Sequence, residues 1–290
     1  MIRVGRFDLV YVNTVDSLDL LGDLAGSFSC PVVCHVHELQ YTIESYCGVD
    51  KVAHGLPLVN NFIVVAQVVG DNLSSQFHVP KEKMVVIPPV VRRLESSAVE
   101  RNEPAEPLTV LCVGQPGWRK GTDVVIHLAK YLTDTLPEMP VKFVWLGSMG
   151  RVADLESRFD IEAASMGGRI EFLGHVSDPG RFYAAADVFL LPSREDPFPL
   201  VAMEAAAFGV PIIAFKGAGG ISEHVAKWNS GVAVDYLSIV ELAKAVVEYQ
   251  KSPSLRKMHG ENAVKSTADF DPGLVASKIW SVMTEAASRS

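Results

Sequence analysis

The segment VFLLPSREDPFPLVAMEAAAFGVPIIAF, residues 188–215, decides the fold. Its two apolar runs, Val188–Leu191 and Pro211–Phe215, have the length and the branched or aromatic content of buried strands. Between them a loop rich in proline and charge leads into an alanine-rich stretch. Pro199 stands where a first helical turn should begin, Gly209 is a stop and Pro211 lies beyond it, so the spacing predicts a helix from about Pro199 to Phe208. Strand, loop, helix and strand make one βαβ unit, the building block of a parallel sheet.

Outward from this unit the alternation continues, with strands at Leu108–Val113, Val141–Leu146, Ile170–Leu173, Val188–Leu191, Pro211–Phe215 and Gly231–Val234. Six parallel strands separated by helices predict a doubly wound, Rossmann-like α/β domain whose ligands sit beyond the carboxyl ends of the strands. The first ninety residues alternate as well, with strands near Leu9–Val12, Val32–Val36, Phe62–Val65 and Val85–Ile87. Such a domain needs about two more βα units, so this half is expected to be incomplete at its amino end. After the sixth strand the pattern is helical, over Ile239–Lys251, Ser254–Thr267 and Pro272–Ala287, the last opened by Asp271 as cap and Pro272 in the first turn. These readings divide the chain into a partial domain over 1–92, a polar, proline-closed linker over 93–107, a complete domain over 108–270 and a C-terminal helix over 271–290 that is free to return to the first domain.

A length of 290 residues fits roughly two domains of about 150. With 48% apolar and 21% charged residues the chain is neither disordered nor collagen-like. Its net charge of −8 argues against broad adhesion to nucleic acid or anionic lipid and leaves room for a local basic pocket. No apolar run approaches the ~18 residues that cross a bilayer. The first residues lead into a strand without the pattern of a secretory signal, which predicts a cytoplasmic protein. Cys30, Cys34, Cys47 and Cys112 are too few and too irregular for a disulfide framework and read as reduced thiols. A zinc site from Cys30, Cys34 and Cys47 with His35 and His37 is disfavoured, because Cys34 and His35 face opposite ways along one strand. Asp269-Phe270-Asp271 has the form of a metal motif, but capping explains Asp271, and no metal is expected.

Two segments carry the chemistry. At the mouth of the helix after Val188–Leu191, the free backbone N–H groups of Leu200 and Val201 can meet an anion, aided by the helix dipole. Asp196 precedes that helix and Glu204 lies within it, among Val201, Ala202, Met203, Ala205 and Ala206, where a carboxylate needs a polar partner. The second segment, Val113 to Asp123, follows the first strand of the complete half. Its glycines permit close approach of the backbone, and Arg119 and Lys120 add two positive charges suited to phosphate. It is not a Walker loop, since Lys120-Gly121 reverses the required order.

Together these segments resemble the retaining GT-B glycosyltransferases of family 4, the "glycosyl transferases group 1" type that includes bacterial lipopolysaccharide, mannosyl and rhamnosyl transferases. The resemblance rests on Trp118-Arg119-Lys120-Gly121, on Phe172-Leu173-Gly174-His175-Val176, on Asp196 to Glu204, and on Gly219-Gly220-Ile221-Ser222-Glu223-His224-Val225. It departs from the family at Asp196, where the paired acidic motif begins with Glu, and at Gln115, where many members carry arginine. It implies two Rossmann-like, doubly wound domains, the N-terminal one incomplete and short of a glycine-rich acceptor loop, and a role in cell-surface polysaccharide synthesis. The donor would be a nucleotide sugar such as a UDP- or GDP-hexose, and the acceptor a saccharide or lipid-linked hydroxyl. Peripheral membrane association is compatible with this reading; no cofactor, nucleic acid or obligate protein partner is implied.

The resemblance also implies residue roles. Lys120 and Arg119 would neutralise the donor diphosphate beside Gly114, Gly117 and the N–H groups of Leu200 and Val201 after Pro199. Glu204 would bind the ribose, Asp196 with the backbone after Phe198 would hold the sugar, and Leu173, His175 and Val176 would lie near the base. In the first half, His37 after the strand Val32–Val36 matches the family histidine near the reacting sugar, while His35 inside the strand reads as core. Two other readings stay open. A nicotinamide enzyme is suggested by Gly217-Ala218-Gly219-Gly220-Ile221-Ser222, although this loop follows the fifth strand and lacks the third glycine. A non-catalytic nucleotide-sugar-binding module would share every donor residue.

Overall fold

The computed structural model describes residues 7–24, 29–91, 107–148 and 168–288. The chain divides into two compact units, Met1–Val90 with Asp269–Ser290, and Val91–Ala268. Apart from Pro107, the linker expected over 93–107 lies outside the described residues. No described helix is long and apolar enough to cross a membrane.

The first unit is built on four parallel strands, β1 Val10–Val12, β2 Val32–Val36, β3 Asn61–Val64 and β4 Met84–Val86, in the order β1-β2-β3-β4. β2 is buried along its whole length, as a strand covered on both faces must be. Alternation places Val33 and His35 on one face and Val32, Cys34 and Val36 on the other. The first of these faces is closed by the helix Pro272–Ser288, whose Val275 and Ala286 pack with Val33, Ile63 and Ile87. Asp271 caps that helix, its Oδ1 accepting from the N–H groups of Gly273 at 3.0 Å and Leu274 at 3.2 Å. The core of the first unit therefore draws on both ends of the chain.

The second unit holds six parallel strands in the order β10-β9-β8-β5-β6-β7. These are β5 Leu108–Val113, β6 Val141–Leu146, β7 Ile170–Gly174, β8 Val188–Leu191, β9 Ile212–Phe215 and β10 Gly231–Val234. Read from β7, the order is third, second, first, fourth, fifth, sixth, which is the doubly wound topology with its switch point between β5 and β8. One face of the sheet, with Val110, Cys112, Phe143 and Trp145, packs on the helices Thr122–Thr135 and Ile239–Lys251. Element boundaries shift from the expectation by about a residue, and two of these shifts bear on the site. The helix after β8 spans Leu200–Ala207, and Pro199 is its cap rather than its first turn, because the ring fixes only φ and ψ here is an extended 118°. β7, expected to end at Leu173, runs on through Gly174 and leaves His175 and Val176 to begin the loop.

Replacing Val275 by Asp would bury an unpaired carboxylate against Val33, Ile63 and Ile87 and is expected to cost about 3 kcal/mol or more in urea unfolding. Leu274→Asp, at an exposed position of the same helix, should change stability by no more than about 0.5 kcal/mol. Burial holds buried His35 neutral, with a pKa lowered to about 4, and the neighbouring His37 adds to that shift. The unfolded chain binds this proton near pH 6.5, so the contribution of His35 to stability is present above that pH and is lost as pH falls toward 4. His35→Phe should remove this part of the acid sensitivity, as read from unfolding midpoints across that window.

Candidate functional site

At the switch point of the second unit, the loops that follow β5 and β8 are tied together. Arg194 donates its backbone N–H to the Arg119 carbonyl at 2.8 Å and its Nη1 to the Trp118 carbonyl at 2.7 Å. The same guanidinium grips both oxygens of Asp123, at 2.8 and 2.6 Å, and lies over the Trp118 ring. Burial pushes the Asp123 carboxyl up, but Arg194 and two backbone N–H groups outweigh it and hold the pKa below the ordinary value. The approach is close enough that a Cβ at Gly121, whose φ is +72°, would collide with the Pro192 carbonyl. That is the physical reason a glycine follows Lys120.

This clamp brings the basic pair onto the acidic loop. Lys120 Nζ lies 2.5 Å from Asp196 Oδ2, which also accepts from Ser193 Oγ at 3.3 Å. Arg119 Nη1 donates to the Glu195 carbonyl at 2.9 Å and stands 3.9 Å from Asp196 Oδ1. Gly114 lies beneath the Lys120 stem, and Gly117 donates its N–H to Thr122 Oγ1 at 2.8 Å. A third loop, after β9, supports Asp196 from below: the Asp196 N–H donates to the Ala218 carbonyl at 2.8 Å, and a Cβ at Gly219 would overlap the Asp196 carbonyl. The glycine-rich turn that suggested a dinucleotide is thus packed under the acidic loop.

Leu200 and Val201 open the helix behind Asp196, where backbone N–H groups have no acceptor within the helix. Phe198 turns its ring edge-on to His224. Glu204 meets a partner that no spacing revealed: Tyr183, buried in the helix Gly180–Ala185, donates its hydroxyl to Oε2 at 2.8 Å. Burial and the facing carboxylate push that phenol above its ordinary range. At the end of β7, Gly174 accepts from the Gly147 N–H at 2.7 Å, and Trp145 Nε1 donates to the Gly114 carbonyl at 2.8 Å, so that the end of β7 and the loop after β5 are joined through β6.

His37 belongs to the first unit and directly follows β2. Its N–H donates to Glu38 Oε2 at 3.0 Å, its Nε2 lies 3.4 Å from Asn13 Oδ1, and its ring rests against that of His35 with 4.2 Å between centroids. Glu38 is held in turn by Thr14 Oγ1 at 2.5 Å and the Val15 N–H at 3.3 Å. Of the residues singled out from the sequence, Arg119, Lys120 and Asp196 touch one another directly. Gly114, the Leu200–Val201 helix mouth and the end of β7 border the same loops. Arg194, Asp123, Ser193 and Tyr183 were not foreseen. Arg194 and Ser193 sat inside the quoted acidic segment, but Tyr183 lies in a stretch with no motif.

The sequence profile of the family "Glycosyl transferases group 1" matches residues 95–266. Over 249 residues the chain is 27% identical to the D-inositol 3-phosphate glycosyltransferase of Thermobispora bispora, covering 80% of this chain and 56% of the relative. It is 30% identical over 179 residues to a lipopolysaccharide core biosynthesis mannosyltransferase of Rhizobium leguminosarum, covering 59% of this chain and 49% of the relative. The chain spans about half the length of the curated relatives it matches. Among solved structures, Anabaena Alr3699/HepE in complex with UDP-glucose superposes with a TM-score of 0.80 at 21% identity, over 96% of this chain and 79% of that one. Sucrose-phosphate synthase from Thermosynechococcus elongatus does so with a TM-score of 0.78 at 22% identity, over 98% and 75%. These likenesses show the GT-B fold.

Gly121→Ala combines a left-handed backbone with a collision at Pro192 and should cost about 2 kcal/mol or more of stability. Gly117→Ala, where an added Cβ meets nothing within 4 Å, should be close to neutral in the same unfolding measurement.

Proposed function

The chain belongs to the group 1 glycosyl transferases, and from that premise we propose that it moves a hexose from a nucleotide-sugar donor to a saccharide or lipid-linked hydroxyl with retention of anomeric configuration. The observation that carries the reading is the meeting of Lys120, Arg119 and Asp196 beside a helix mouth at the switch point of the second sheet. Lys120, Arg119 and the N–H groups of Leu200 and Val201 receive the diphosphate. The sugar passes through an oxocarbenium-like state while negative charge grows on the departing diphosphate, and these donors are placed to stabilise that charge without a metal ion. The bond from the anomeric carbon to the diphosphate oxygen breaks, the acceptor oxygen bonds on the same face, and the hydroxyl proton leaves with the diphosphate.

Glu204 accepts from the ribose hydroxyls through Oε1 while Tyr183 holds Oε2 in place. Asp196 and the backbone after Phe198 hold the sugar hydroxyls, the end of β7 at Leu173, His175 and Val176 faces the base, and His37 polarises the reacting sugar from the acceptor side. The solved complex of Anabaena Alr3699/HepE with UDP-glucose makes that nucleotide sugar the first donor to test.

UDP should bind in the presence of EDTA. Lys120→Ala should weaken UDP by roughly tenfold to a hundredfold and leave uridine little changed, whereas Glu204→Gln should weaken both, because a charged hydrogen bond is worth about 1.5–3 kcal/mol. Calorimetric titration separates these outcomes, and equal small effects from both substitutions would make them surface residues. With UDP-glucose and an acceptor panel, product NMR should show the retained anomer. An inverted product, or binding abolished by chelation, would contradict the proposal; donor binding without transfer would favour a binding module.

A further inference from the structure

The first unit contains a second histidine that the proposed reaction does not use. His35 is 5% exposed, its Nδ1 lies 2.6 Å from the Tyr11 hydroxyl, and its ring rests against that of His37 with 4.2 Å between centroids and a 35° tilt. Its Nε2 is buried with no hydrogen-bond partner among the described residues. A structural histidine in a strand core normally satisfies both nitrogens. Here one nitrogen is anchored, the other is left bare, and a ring face is given to the neighbour two residues on, which stands on the same face of β2 just past its carboxyl end.

We propose that His35 is a positioning residue for His37: anchored by Tyr11, its ring packs against the His37 imidazole, fixes its orientation toward Asn13 and keeps it neutral. The inference rests on the role given to His37 above. Glu38 is the charged group that faces His37, and it favours the protonated ring, yet burial is the larger effect and the His37 pKa is lowered. Glu38 itself is satisfied by Thr14, the Val15 N–H and the His37 N–H, all neutral donors. From β1 and its loop, Tyr11 and Asn13 face the pair and carry no charge; burial, then Cys34, pushes the Tyr11 phenol up, so the hydroxyl stays protonated. Cys34 is buried on the opposite face of β2, its thiol also pushed up by burial. His35 cannot take the proton in place of His37, since burial of the charge opposes it. A neutral His37 is what the proposed chemistry needs, because an imidazolium beside an oxocarbenium-like sugar would repel the developing positive charge.

The test is an NMR titration of the full chain, following imidazole signals with His37 assigned by its loss in His37→Asn. In the parent the His37 pKa should lie below 6.5. His35→Ala, which admits water to the exposed ring face, should raise it by about one pH unit and move the acid limb of the kcat/KM profile with UDP-glucose by the same amount. His35→Phe keeps a ring in the slot and should leave both low. Should His35→Ala not fold, His35→Thr carries the same expectation. An unchanged His37 titration in a folded small-residue variant would overturn the proposal, as would an equal rise in His35→Phe. If the titration moves as expected while transfer is indifferent to His37→Asn, the pairing stands and the catalytic assignment of His37 fails.

Discussion

Lys120 and Asp196 come from loops 76 residues apart in sequence, and their 2.5 Å contact is the constraint around which the crevice of the second unit is arranged. Two opposite charges, each largely withdrawn from water, are tolerable only while they face each other, since removing either would leave the other desolvated and unpaired. The surrounding features serve that approach. Gly121 lets one loop pass beneath Pro192, Gly219 lets the Asp196 backbone settle on the loop after β9, and Arg194 fastens the two loops through Asp123 and the Trp118 carbonyl. Gly114, held by Trp145, leaves room for the Lys120 stem.

The arrangement gives the pair a second meaning. In the proposed roles, the lysine that would meet a diphosphate is paired with the carboxylate that would meet the sugar. On the proposed reading a donor would have to exchange partners: its phosphate oxygens would replace Asp196 at Lys120, and its hydroxyls would replace Lys120 at Asp196. A nucleotide lacking the sugar would make the first exchange only, and would leave Asp196 charged and poorly paired. A glutamate at this position would reach further; aspartate keeps the contact with Lys120 short.

The fold was legible because both periodicities survive in the sequence: every strand of the two sheets lies within about a residue of its apolar run, and βαβ alternation makes both sheets parallel. Asp271 was readable as a cap for the same local reason. Pro199 was placed one residue too far into its helix, because a proline in sequence shows its φ and not its ψ. The site was legible in its charges but not in its supports. Nothing in the spacing joins Tyr183 to Glu204, 21 residues on, or Asp123 to Arg194, 71 residues on; those pairings exist only once the switch point brings separate loops together. His35 read as core from its place inside the strand, and it is buried, but its contact with His37 needed the ring geometry to be seen.

The exchange between Lys120 and Asp196 is tested most directly by the affinity of Asp196→Asn for UDP, measured by calorimetry in EDTA beside the parent. If Asp196 competes with the diphosphate for Lys120, the variant binds UDP several-fold more tightly, on the order of threefold to tenfold, because a nearby negative charge has been removed and the lysine freed. Unchanged or weaker UDP binding by a folded Asp196→Asn protein would contradict it.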